Sequence, residues 1–299
     1  MATAFAPGHI TGFFQICDSD EDPLLRGSRG SGASIVQGVY TRVGVEPSDE
    51  TSYTIKINGK TTRGAYVSEN VLGKVLPMLQ APHSITVEHT VETPMGSGFG
   101  SSGGGAITLA FALNEALGLG MNRIEAARIA HLAEIECRTG LGTVFAALVA
   151  GFGVLYKAGG PGVGEAIKFG GSADLSVVYL HFGPMETRVA LSDPVVRRRI
   201  NEYGGGFVDR LRSDLRPELF MELAREFTDH VGLATPRLRR VFQAADLARV
   251  PCAMAMFGEV AFSLVGRDRA YEVANVYESA VRGGEAVIVG VDDEEARLI

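Results

Sequence analysis

The chain has 299 residues, of which 46% are hydrophobic and 21% charged, a globular composition long enough for two ordinary domains. Its 28 basic and 35 acidic residues leave a net charge of −7 with no basic stripe or tail, which argues against a nucleic-acid or anionic-membrane partner. The three cysteines, Cys17, Cys137 and Cys252, lie far apart and fit reduced thiols packed in a core better than a disulfide framework or a metal centre.

The first residues lack a charged n-region and a long apolar h-region, so no secretion signal is read and the expected location is the cytoplasm. Thr3 to Ala6 and Ile10 to Ile16 read as two strands around a sharp turn at Pro7-Gly8-His9. The segment from Asp22 to Gly32 brings together Arg26, Arg29, Ser28 and Ser31 among glycines. Such a loop can fork a carboxylate with charge-assisted hydrogen bonds, or it can be a hairpin loop with its arginines in water. Ser34 to Val45 and Thr51 to Ile57 are β-rich, and with the Asn58-Gly59 turn they suggest a meander. Ser68 to Leu79 reads as a helix and Ser84 to Val91 as a strand.

Pro94 to Gly105 is the stretch poorest in side chains and rich in hydroxyls. Glycines there can bring successive N–H groups close to an anion, and the good helix formers from Ala106 to Leu117, ending at Gly118, put a positive helix end behind them. A Walker loop is ruled out because Gly103 is followed by Gly104 and Gly105 and not by Lys. Gly98, Gly100 and Gly103 match the dinucleotide spacing. The preceding run Ile85, Val87, His89, Val91 alternates like a half-exposed antiparallel strand, however, and not like the buried strand of a βαβ unit.

Asn122 and Glu125 form a capping box for a helix running to about Cys137, on which His131, Glu134 and Arg138 share a face. The alternative is a plain Glu134–Arg138 surface pair. Gly142 to Tyr156 is the longest apolar run. It is too short for a membrane span and reads as a buried helix despite Gly151 and Gly153. The composition shift at Gly159 to Gly164 suggests a boundary, dividing the chain into residues 1–160 and 161–299. Beyond it, Asp174 to Phe182 and Met185 to Leu191 read as strands, and Asp193 to Arg212 as an arginine-rich solvated helix. Pro217 to Val231 and Pro236 to Arg249 read as amphipathic helices covering a sheet. A helix from Asp268 to Val281 and a strand from Glu285 to Val291 complete the chain.

Pro94-x-x-x-Gly98-Phe99-Gly100-Ser101-Ser102-Gly103 resembles the phosphate loop of the GHMP small-molecule kinases, a superfamily that includes galactokinase, homoserine kinase and mevalonate kinase. Ala6-Pro7-Gly8-His9-Ile10-Thr11-Gly12-Phe13-Phe14 resembles their N-terminal motif in its archaeal pantoate-kinase form. Asp22 to Gly32 resembles the substrate loop of that group, and Cys252 to Val265, with the Phe257-Gly258 turn, the third motif. The resemblance covers most of the chain. It implies an α+β fold of two halves, an N-terminal one like the second domain of ribosomal protein S5 and a C-terminal ferredoxin-like one. It also implies ATP-dependent phosphorylation of pantoate to 4-phosphopantoate, a step toward coenzyme A.

By the same resemblance Pro94, Gly96, Ser97, Gly98, Phe99, Gly100, Ser101, Ser102, Gly103 and Gly104 hold the nucleotide phosphates, and Ser102 and Glu134 hold Mg²⁺. Ser28, Arg29, His131 and Thr187 face the small hydroxy-acid substrate; the sequence does not fix the oligomeric state and leaves a homodimer open. Two positions depart from the pantoate-kinase pattern: Thr143 stands where the catalytic Asp is expected, and Leu155 where a substrate-binding Arg is expected. Thr143 can hydrogen-bond a hydroxyl but cannot act as a base near neutral pH. The chain therefore reads as a pantoate kinase, a kinase for another small hydroxy acid, or a nucleotide-binding paralogue without turnover.

Overall fold

The computed structural model describes residues 1–185 and 191–299. A long strand, β1 (Ala2–Cys17), runs antiparallel to β2 (Gly27–Pro47). The other edge of β2 is shared. Its residues 39–47 pair with β5 (His83–Val91), and its residues 30–33 pair with β6 (Phe152–Lys157), which in turn pairs with β7 (Glu165–Lys168). β3 (Ser52–Ile57) and the short β4 (Lys60–Thr61) extend the sheet beyond β5, and β12 (Arg297–Leu298) returns to the free edge of β1. A second sheet has the order β11-β8-β10-β9, built from β8 (Leu175–Pro184), β9 (Ala253–Met254), β10 (Gly258–Gly266) and β11 (Val287–Gly290).

Helices α1 (Tyr66–Val75), α2 (Ser101–Leu117) and α3 (Arg123–Cys137) pack on the first half of β1 and on β2, around Ala4, Ala6, Val43 and Val87. Helices α5 (Pro194–Ser213), α6 (Pro217–Val231), α7 (Pro236–Ala248) and α8 (Ala270–Ala280) close a second core. That core contains Ile10, Phe13, Phe14 and Ile16 from the other half of β1. Gly12 permits the approach of α6, since a Cβ there would meet the Phe220 ring at 2.7 Å.

This sharing of β1 explains why Pro7-Gly8-His9 is no turn. The strand must run on to serve both cores, and the irregularity is absorbed as a register shift between Pro7 and Gly8, a place where a proline is tolerated in a sheet. The meander expected over residues 34–57 does not form either. β3 lies parallel to β5, with α1 between them in the chain, so β5 separates β2 from β3. The Asn58-Gly59 hairpin does form, with φ of 48° and 78° at the two turn positions. The apolar run from Gly142 splits into α4 (Thr143–Val149) and β6, because Ala150 and Gly151 take φ of 56° and 69° and end the helix. The Gly159 to Gly164 stretch turns the chain between β6 and β7 within the first sheet. The capping box at Asn122 and Glu125 is present, and α6 and α7 each begin with proline in the first turn. Of the strand expected over Met185 to Leu191, residues 186–190 lie outside the described residues.

Candidate functional site

Residues 94–100 form a loop in which Gly96, Gly98 and Gly100 all have positive φ, and the chain enters α2 at Ser101, five residues earlier than composition suggests. Gly100 is the N-cap in the left-handed region, and no side chain caps the helix. The first-turn N–H groups of α2 are thereby left to an outside acceptor, and the helix dipole favours an anion there. The side chains of Ser97 and Phe99 anchor the loop. Ser97 Oγ lies 2.8 Å from His181 Nε2, and the buried Phe99 ring stacks edge-on against Tyr179 at 4.8 Å. The Phe99 carbonyl accepts a hydrogen bond from the His9 N–H. Gly258 presses on the loop so closely that a Cβ there would sit 1.9 Å from the Ser97 carbonyl oxygen. The Phe257-Gly258 turn is thus against the loop.

Glu134, on α3, is only 3% exposed, and its Oε1 accepts hydrogen bonds from Ser102 Oγ (2.5 Å) and Thr139 Oγ1 (2.6 Å). Burial pushes its pKa up, and the two hydroxyl donors oppose that shift. The expected pair with Arg138 is not made. Arg138 is the C-cap of α3 with φ of 57°; its backbone N–H caps the Glu134 and Ile135 carbonyls, and its guanidinium makes no ion pair or hydrogen bond among the described residues. Glycine is needed at position 140, where a Cβ would meet Glu134 Oε2 at 2.1 Å. A hydroxyl and a carboxylate side by side, both hard oxygen donors, at the start of an anion-binding helix suit a Mg²⁺ ion that completes its shell with phosphate oxygens and water. The same Glu134 has no cationic side-chain partner among the described residues.

Beside the loop is a cavity of about 120 Å³ whose lining includes His9, Ser28, Gly100, Thr143, Leu155 and Phe257. Thr143 opens α4 and leans over the loop: a Cβ at Gly100 or Gly103 would meet its side chain at 2.6 or 2.8 Å. The two departures noted from sequence, Thr143 and Leu155, therefore face the same space as Ser28. A second cavity of about 370 Å³ shares Gly140, Leu141 and Leu191 with the first and is lined by Arg26, Arg138 and Arg197 against Asp18. Arg197 forks Asp18 at 2.7 and 3.0 Å, and Arg26 holds the backbone carbonyls of Asp20 and Glu21.

Two of the expected substrate residues are not brought to the first cavity. Arg29 alternates with Ser28 along β2 and so faces the other way, donating to the Tyr156 carbonyl at 2.8 Å and to Gln15 and pairing with Asp209. His131 is 2% exposed, with Nε2 3.2 Å from the Pro23 carbonyl, where it fastens the 18–26 loop. Burial lowers its pKa. Thr187 lies outside the described residues. Sequence reasoning passed over Thr139, the second donor to Glu134, and assigned no role to His9. Thr139 was findable as a hydroxyl five residues past Glu134, beyond a helix end.

A family model described as GHMP kinases N terminal domain matches residues 65–151, from just before α1 to Gly151. The chain is 31% identical to a pantoate kinase of Thermococcus kodakarensis over 96% of its own length and 99% of that protein's. It is 31% identical to a pantoate kinase of Methanocaldococcus jannaschii over 93% and 97%. A solved structure described as a phosphotransferase related to the CoA biosynthesis pathway superposes with a TM-score of 0.89 at 29% identity, covering 99% of this chain and 98% of that one.

Proposed function

The chain belongs to the GHMP kinases, among their pantoate-kinase members, and from that premise we propose that it transfers the γ-phosphoryl group of ATP to the terminal hydroxyl of pantoate, giving 4-phosphopantoate for coenzyme A synthesis. The observation that carries the reading is the juxtaposition of the Ser102–Glu134 pair and the uncapped α2 N-terminus with a cavity lined by Ser28 and Thr143. The backbone of residues 96–104 holds the phosphates. Ser102 and Glu134 hold Mg²⁺, which supplies neutralisation of the phosphate charge.

Ser28 Oγ and Thr143 Oγ1 orient the acceptor by hydrogen bonds, while Phe14, Leu155 and Phe257 shape the cavity and keep water from the phosphoryl group. With leucine at 155, the acceptor's carboxylate has no cation in the first cavity. It extends past Gly140 and Leu141 into the second, where Arg138 is open to receive it. Positioning of this kind supports phosphoryl transfer because its loose transition state asks for alignment and charge stabilisation more than for covalent chemistry. The test is ADP release from the purified protein with Mg²⁺-ATP, comparing D-pantoate with other small hydroxy acids and with no acceptor. Pantoate-dependent ADP is expected. Release equal with and without every acceptor would refute the reading.

A further inference from the structure

We propose that His9 accepts the proton of the substrate hydroxyl in this chain, taking over where Thr143 offers no carboxylate. The inference rests on the phosphotransfer reading above. His9 and Thr143 line the same cavity and flank the same loop residue, since a Cβ at Gly100 would lie 3.6 Å from the His9 Cβ and 2.6 Å from the Thr143 Cγ2. His9 lines the cavity, and its imidazole reaches back over β2. Its Nδ1 is 3.4 Å from Ser34 Oγ, and its Nε2 sits over Gly32, where any Cβ would come within 2.5 Å of it. On the same face of β2, Gly30 and Ser28 line the cavity, and Gly30 adds no side chain to it.

Among the described residues Nε2 makes no hydrogen bond of its own. The tautomer that donates Nδ1–H to Ser34 leaves the Nε2 lone pair for an incoming hydroxyl. Desolvation holds the ring neutral, with its pKa lowered to about 4, so the lone pair is available near neutral pH. Among the described residues whose side chains line the cavity, which otherwise offer hydroxyls, thioether and apolar groups, His9 is the one proton acceptor. In the step itself the acceptor oxygen bonds to the γ-phosphorus as the bond from that phosphorus to the β-phosphate oxygen breaks. The hydroxyl proton passes to Nε2, and the resulting imidazolium returns it to solvent once ADP and product have left.

The experiment is a double-mutant cycle read by acceptor-dependent ADP release, with kcat and KM measured for both substrates. His9→Gln is expected to lower kcat by about 10²-fold or more while leaving the KM for ATP unchanged. In the Thr143→Asp background the same substitution is expected to cost far less, because a carboxylate then stands in the cavity. An unchanged kcat in His9→Gln, or an equal loss in both backgrounds, overturns the proposal. Should His9→Gln fail to fold, ¹⁵N spectra of histidine-labelled wild-type protein decide: pantoate added with a non-hydrolysable ATP analogue is expected to shift the His9 Nε2 resonance, and an unmoved resonance overturns the proposal. A wild-type protein with no acceptor-dependent turnover would instead sink the phosphotransfer reading and this inference with it, whereas turnover indifferent to His9→Gln sinks the inference alone.

Discussion

The two walls of the site are built from different material. The wall proposed to hold the nucleotide, residues 94–104 with the start of α2, presents backbone. Its glycines take positive φ, Ser97 and Phe99 turn inward to His181 and Tyr179, and its one charged partner among the described residues is Glu134 underneath. The acceptor wall, made of β2, α4 and β6, presents the side chains of Ser28, Thr143 and Leu155. A backbone wall tolerates little change, because a single Cβ at Gly98 would strike the Met256 carbonyl oxygen at 2.6 Å. A side-chain wall can be altered one group at a time while the strands and helix behind it stay put. That is where this chain departs from the pantoate-kinase pattern.

The contrast is broken most forcefully at Glu134. Glu134→Ala is expected to reduce kcat/KM by about 10³-fold, read by ADP release, because it removes the carboxylate beside the phosphates. A loss of less than tenfold would show that this wall works by backbone alone. The next effect lies beneath the same wall. His89, buried with its ring nitrogens bonded to Thr41 and Ser68, has its pKa lowered to about 4 by desolvation. Between pH 6.5 and 4 the unfolded chain binds a proton there that the folded chain refuses, so stability is full above pH 6.5 and falls as the pH drops through that window. The loss attributable to His89 is at most about 3 kcal/mol. Urea midpoints measured against pH are expected to fall less steeply for His89→Gln than for wild type over this range.

On the acceptor wall the expected effects are smaller. Thr143→Asp is expected to raise kcat about tenfold by adding a second proton acceptor, with the KM for ATP unchanged. An unchanged or lower kcat would mean that threonine is the better residue in this cavity. Arg138→Met is expected to raise the KM for pantoate about tenfold without moving the KM for ATP, the signature of a lost charge-assisted contact to a carboxylate. If instead the two KM values rise together, Arg138 supports the loop and not the substrate.

Much of the nucleotide wall was legible in the sequence because glycine spacing, a helix-forming run and a stop at Gly118 are local signals. Local also were the Asn122 capping box and the proline starts of α6 and α7. The start of α2 was misplaced because Gly103 to Gly105 are poor helix formers by propensity. Packing overrides this: Gly104 lies against Val39, and a Cβ at Gly103 would collide with Thr143. The bend at Ala150 was hidden inside an apolar run, since a left-handed alanine leaves no mark in composition.

The α+β class and the glycine-rich loop opening onto α2 were legible in the sequence, while the Ser102 and Glu134 candidates and the departures at Thr143 and Leu155 came from the family resemblance. The first two are matters of residue type and short spacing, and the rest of matched motifs. Tertiary structure alone decided which of the named residues share a space. Strand alternation sends Arg29 away from Ser28, and Arg138 caps α3 through its backbone while Glu134 bonds Ser102 and Thr139. The crossing of β1 between two cores carries His9 to the cavity that Thr143 also lines. The meeting of these groups in one space depends on long-range pairing, between residues 9 and 34, 102 and 134, or 30 and 155, and no local pattern in the chain encodes such a pairing.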